Sequence, residues 1–182
     1  VITSYENSEM YWDAGGGTAY AKKYVLDNKT NAYLSGSQYN VATPDADGNL
    51  SVGYKIRVRS AYEFDKSSIN IGDVIAADNF KSISNVEVNG YEASPNTGFQ
   101  IDGELENPVP LTADKYAVEA KATANTLDIT NPVDIPQMQL YNVLFKVNYQ
   151  KVKYGAKLVN QAAGSEVATV VPLNLNLLKQ DD

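Results

Sequence analysis

The chain has no cysteine, no histidine and a single tryptophan among its 182 residues. Without cysteine there is no thiol nucleophile and no disulfide framework. Without histidine there is no imidazole acid–base and no Ser-His-Asp triad, and the two absences together remove Cys/His zinc sites. Positive charge is also scarce: 15 Lys and Arg against 22 Asp and Glu leave a net charge of -7. That balance excludes a broad phosphate-neutralising surface, so nucleic acid is not an expected partner. No apolar run approaches the roughly 18 residues that a membrane helix needs, so no membrane span is expected. Gly15-Gly16-Gly17 lacks both the Lys-Ser/Thr of a phosphate loop and the spacing of a dinucleotide turn. The expected product is a domain that is not an enzyme and needs no cofactor.

What is present is period-two patterning. From Leu50 to Phe64, Val52, Tyr54, Ile56, Val58, Tyr62 and Phe64 share one face, with Lys55, Arg57, Arg59 and Glu63 on a face read as wet. Leu140 to Tyr154 repeats this with Tyr141, Val143, Phe145, Val147 and Tyr149, and Val167 to Leu178 with Val171, Leu173, Leu175 and Leu177. Shorter strands are expected at 33–34, 83–88, 99–105 and 127–130, and Tyr116 to Thr126 is read as strand despite its alanines. Asp73 to Phe80, with Asp73 near an N-cap, and Thr18 to Leu26 are read as short helices. The turn Pro44-Asp45-Ala46-Asp47-Gly48-Asn49 is expected to close a hairpin between Tyr39–Thr43 and the Leu50 strand. Many short strands with turn residues between them predict an all-β antiparallel sandwich or jelly roll over residues 18–182.

Asp45, Asp47 and Asn49 alternate as calcium ligands do. A helix–loop–helix calcium loop needs Gly at its sixth position and an acid at its twelfth, which here are Leu50 and Ile56. An Asp-Gly turn accounts for these residues, and a looser calcium site completed by distant carboxylates stays open. Asp102, Glu104 and Glu106 could supply carboxylate chemistry, but on a strand they point the same way, as a solvated edge does. Tyr5, Tyr11 and Trp12, or Tyr20 and Tyr24, could stack on sugar rings, and tyrosine is equally a common strand residue. Asn28 and Asn49 open Asn-x-Ser/Thr glycosylation tripeptides in loop-like stretches. The start at Val1 rather than Met is read as signal-peptide removal, and the expected location is extracellular or cell-surface.

The termini carry the rest of the functional reading. Residues 1–17 are expected to form a flexible segment ending in the triple-glycine joint, with apolar or aromatic residues at Val1, Ile2, Tyr5, Met10, Tyr11 and Trp12. Such a segment could order in a groove of a neighbouring copy, and an open sheet edge would accept it. The Val171-Pro172-Leu173-Asn174-Leu175 stretch is the alternative exchange strand, because Pro172 favours an edge. A processed N-terminus, a Cys-free domain rich in Tyr, Asn and Thr, and this closing strand together resemble extracellular filament subunits that polymerise by donor-strand exchange, such as biofilm-fibre and archaeal pilus-type proteins. The resemblance implies a homopolymer of structural subunits with no catalytic residues. The other reading is a carbohydrate-binding or scaffold-docking jelly-roll module, with a glycan as partner. Phe64-Asp65-Lys66-Ser67-Ser68-Ile69 followed by Gly72-Asp73 is similar, at a different spacing, to a strand end and loop of cohesin modules.

Overall fold

A computed structural model of the chain describes residues 2–6, 9–14, 17–60, 63–92, 105, 107–162 and 165–174, with side chains described from Ala21 onward except at Ser165. Fourteen strands are described: β1 (Ile2–Glu6), β2 (Glu9–Ala14), β3 (Gly17–Leu26), β4 (Tyr33–Leu34), β5 (Asn40–Val41), β6 (Leu50–Ser60) and β7 (Asn70–Val74), then β8 (Phe80–Glu92), β9 (Val109–Pro110), β10 (Glu119–Thr123), β11 (Thr126–Thr130), β12 (Gln139–Tyr149), β13 (Lys157–Ala162) and β14 (Ser165–Val170). The helical content among the described residues is one 3-10 turn, Ala113–Lys115. The class is all-β, as the alternation predicts.

The strands form two sheets. The larger runs β1-β2-β3-β6-β12-β8-β9, with β4 paired to β3, and the smaller runs β10-β11-β7-β13-β14-β5. All described pairings are antiparallel except β14 with β5. The centre of the large sheet is β12, whose Tyr141, Val143 and Val147 lie opposite Val58, Ile56 and Val52 of β6. These residues, with Ile71, Leu127, Ile129, Leu158 and Val167 of the other sheet, form one core between the layers. A core of this kind follows from period-two burial: each strand gives alternate side chains to the gap between the sheets.

Several expectations are corrected. Thr18–Leu26 and Asp73–Phe80 are not helices: the first lies in β3, and Asp73 lies inside β7 rather than at an N-cap. The adjacent Lys22-Lys23 pair hides the alternation of Ala21, Lys23 and Val25, which share the inward face. The turn at Asp45–Asn49 does not close a hairpin. It leads from β5 in the smaller sheet to β6 in the larger, and β5 pairs instead with β14. The face of β6 expected to be wet is covered, with Arg57 only 2% and Lys55 9% exposed. The last described strand stops at Val170, before Pro172, which has no N–H to continue a ladder. Val171 is buried, Leu173 is exposed, and Leu175 and Leu177 lie outside the described residues.

The N-terminal residues continue the large sheet within the same chain. Ile2 and Tyr5 fall in β1, and Met10, Tyr11 and Trp12 in β2. The β1–β2 hairpin pairs through β2 with β3, placing Tyr11 opposite Tyr20. Val1, Gly15 and Gly16 lie outside the described residues, as do Glu106 and all of the expected strand at 99–105, Asp102 and Glu104 included, except Leu105, which is in no strand.

Candidate functional site

The outer face of the large sheet carries a groove of about 290 Å³, bounded by Tyr33, Tyr91, Asn89, Leu105 and Pro108 and floored by Lys55, Arg57, Asn142 and Leu144. Strand register assembles it. Lys22, Arg57, Asn142 and Asn89 lie side by side on β3, β6, β12 and β8, and the next row holds Tyr24, Lys55, Leu144 and Glu87. The Lys55 ammonium sits 4.5 Å from the Tyr24 ring centroid and 4.3 Å from that of Tyr33. Arg57 Nε donates to Asn142 Oδ1 at 2.8 Å. Burial, and then the charge of Glu87, raises the Tyr33 phenol above its ordinary pKa, so it remains a neutral donor or acceptor at pH 7. The floor therefore concentrates cationic and amide groups beside aromatic walls, on a chain whose net charge is negative.

A second feature lies between the sheets. Lys23 of β3 and Asp73 of β7 are both fully buried, and Lys23 Nζ contacts Asp73 Oδ2 directly. The ammonium lies 5.5 Å from the Tyr54 ring centroid and 5.9 Å from that of Phe145. Tyr54 and Tyr149 join hydroxyl to hydroxyl at 2.6 Å. Burial holds the Lys23 pKa below its usual value against the opposing pull of Asp73, and burial holds the Asp73 carboxyl above its own against Lys23. Asn160 of β13 is 1% exposed and borders both Asp73 and Tyr149. Neither its Oδ1 nor its Nδ2 completes a hydrogen bond of ordinary geometry, and Asp73 Oδ1 is likewise unpartnered.

The sequence reading missed all of these cluster residues as a site. The signal was a polar residue in the apolar phase of an alternating run: Lys23 between Ala21 and Val25, Asp73 between Ile71 and Ile75, and Asn160 between Leu158 and Ala162. Each is inconspicuous alone, and only the packing of the sheets brings the three together. Of the aromatics singled out from sequence, Tyr24 is nearly buried with its ring against the Lys55 ammonium and does not line the groove, whereas the side chains of Tyr5, Tyr11, Trp12 and Tyr20 lie outside the described ones.

The acidic turn is held by its own backbone. Asp45 Oδ1 accepts from the N–H groups of Asp47 and Asn49, both at 2.9 Å. Among the described residues no group of three or more Asp or Glu side chains converges as a metal site would require. Asn28 is exposed in the turn after β3, its N–H bonded to Asn40 Oδ1 at 2.8 Å, and Asn49 is half-buried.

No protein-family model matches the chain, and no curated protein matches it. Among solved structures the chain is similar to the "CBM3a-L domain with flanking linkers from scaffoldin cipA of cellulosome of Clostridium thermocellum", with 12% identity, a TM-score of 0.35, and coverage of 82% of this chain and 85% of that one. The strands described here define the class as a two-sheet, all-β sandwich. No helix of the described residues is long and apolar enough to cross a membrane.

Proposed function

We propose that the chain is a non-catalytic recognition module of an extracellular or cell-surface protein, binding carbohydrate in the groove on the large sheet. The observation that carries this reading is the groove's composition: half-buried Tyr33 and Tyr91 on its walls, with the amides of Asn89 and Asn142 presented by adjacent strands beside the nearly buried Lys55 and Arg57. Aromatic rings offer flat faces to sugar rings, and amide and cationic groups fix hydroxyls and carboxylates by directional hydrogen bonds.

The test is affinity electrophoresis of the full chain through gels containing a neutral β-glucan or a polyuronate. Retardation by one of the two polysaccharides, weakened at least about tenfold in Tyr33→Ala and Tyr91→Ala, is expected, which corresponds to ~1.4 kcal/mol. Unretarded migration through both gels would overturn it.

A structural role in a surface assembly is the second reading. It is favoured by the Lys23–Asp73 contact, which ties the two sheets together through their shared core.

A further inference from the structure

We propose that Lys23 and Asn160 close an intramolecular amide cross-link between the two sheets, with Asp73 carrying the proton. The inference does not depend on what the groove binds. It rests on three side chains in one enclosed place: an amine with no access to water, a carboxyl in contact with it, and a carboxamide beside that carboxyl with both of its polar atoms unsatisfied.

Topology places them. β3 runs in the large sheet with Lys23 opposite Ile56, so its side chain points into the interlayer gap. β7 and β13 are neighbours in the small sheet, where Asp73 lies opposite Ala162. Asn160, two residues before Ala162, shares its face and is the diagonal neighbour of Asp73, about 7–8 Å away between backbones and within side-chain reach. Tyr54, Tyr149 and Phe145 wall the cluster and exclude water. A buried ion pair is weakly stabilising at best, and an unsatisfied carboxamide in a core is destabilising. A structure that keeps both together holds reactants as well as packing groups.

The step balances without any outside reagent. Burial favours the uncharged pair, so a proton passes from the Lys23 ammonium to Asp73. The freed Nζ lone pair attacks Asn160 Cγ, and the protonated Asp73 carboxyl hydrogen-bonds to the carboxamide and polarises it. The Nζ–Cγ bond forms and the Cγ–Nδ2 bond breaks. Nδ2 leaves as ammonia, taking its own two hydrogens and one that originated on Nζ, relayed by Asp73. The carboxyl ends as it began after the proton transfer, so it acts as a shuttle and is not consumed. Direct condensation of Lys23 with Asp73 would instead consume the cluster's carboxyl and leave Asn160 unsatisfied. Enclosing the amine and the carboxamide around one shared carboxyl supplies the high effective concentration that amide formation from an unactivated carboxamide requires.

The experiment is intact-mass measurement of the purified full chain under denaturing conditions, followed by trypsin digestion. A mass lower than the sequence by one ammonia is expected, together with a branched peptide joining residues 23–29 to 158–179, because acylated Lys23 resists cleavage. Asn160→Ala, and Asp73→Asn as the isosteric variant, should show the full mass of their own sequences and yield residues 24–29 and 158–179 as separate peptides, because free Lys23 is cleaved. An unmodified mass in the native chain overturns the proposal, whatever the variants do. Loss of one water, with the branch at Asp73, overturns the assignment of Asn160 as acceptor. Loss of ammonia without a branched peptide places the change elsewhere, such as at Asn89-Gly90, and overturns it too.

Discussion

Tyr54 and Tyr149 show how much a single buried hydroxyl can decide. Their mutual hydrogen bond satisfies two phenols with almost no access to water, and burial pushes the Tyr149 pKa up from 10.0 to about 12 and that of Tyr54 well above its ordinary value. Below pH about 10, folded and unfolded chains both retain these protons and stability is unaffected. Above that, the unfolded chain releases protons that the core still holds, so stability falls as pH rises toward 12. The slope is at most about 1.4 kcal/mol per pH unit for Tyr149. Urea midpoints across this range should therefore drop in the native chain and drop less steeply in Tyr149→Phe. The Lys23–Asp73 pair is best measured in the Asn160→Ala background, where no cross-link can form. There, Asp73→Ala leaves the buried Lys23 amine without its hydrogen-bond partner, and urea denaturation should register a loss of about 1–3 kcal/mol.

Among elements, β8 and the loop before β7 carry the sharpest constraints. Gly90, inside β8, has no room for a side chain: a Cβ there would meet Tyr141 at 2.8 Å and Tyr116 at 2.9 Å. Those rings pack edge to face with centroids 5.8 Å apart, and the Tyr141 hydroxyl accepts from the Ala117 N–H at 2.9 Å. Gly90→Ala should cost about 1–3 kcal/mol through overpacking, visible as a lowered thermal midpoint. The stretch from Phe64 to Ile69 is shaped by Asn131, which is fully buried. Its Oδ1 accepts from the Ile69 N–H at 2.6 Å and its Nδ2 donates to the Asp65 carbonyl at 2.8 Å. Asn131→Ala would leave those backbone groups unpaired and should destabilise the fold by about 1–3 kcal/mol by urea denaturation.

For the whole molecule, the two candidate sites divide the sheets' surfaces between them: the groove uses the outer face of the large sheet, and the amide-forming cluster uses the inner faces of both. A covalent tie between β3 and β13 would join strands 137 positions apart in the chain (160 minus 23) across the core. By loop-closure entropy it restricts the unfolded ensemble strongly, an effect of several kcal/mol for a loop of that length by analogy with disulfides. The native chain should accordingly keep a higher urea midpoint than Asn160→Ala. That property suits a surface module that binds and equally one that bears load. Deleting residues 1–17 separates the two: filaments in the full chain that vanish on truncation support strand exchange, whereas a monomer before and after leaves the groove as the functional surface.

The sequence by itself determined the all-β class, because alternating runs such as Val52-Tyr54-Ile56-Val58 and Tyr141-Val143-Phe145-Val147 allow only half of each strand to face water. It also located the strong strands β6 and β12 to within a few residues at either end. It could not say which strands pair, since period two fixes which face is buried but not which neighbour lies alongside. Hence the Asp45 turn reads as a hairpin yet joins the two sheets, and the Lys55–Arg57 face reads as wet although both residues are nearly buried, Lys55 against the Tyr24 and Tyr33 rings. The Lys23, Asp73 and Asn160 cluster was decided by tertiary structure alone. Each residue occupies an inward phase that its own strand makes legible, but their chemistry exists only where packing of the two sheets brings amine, acid and carboxamide into one water-free space.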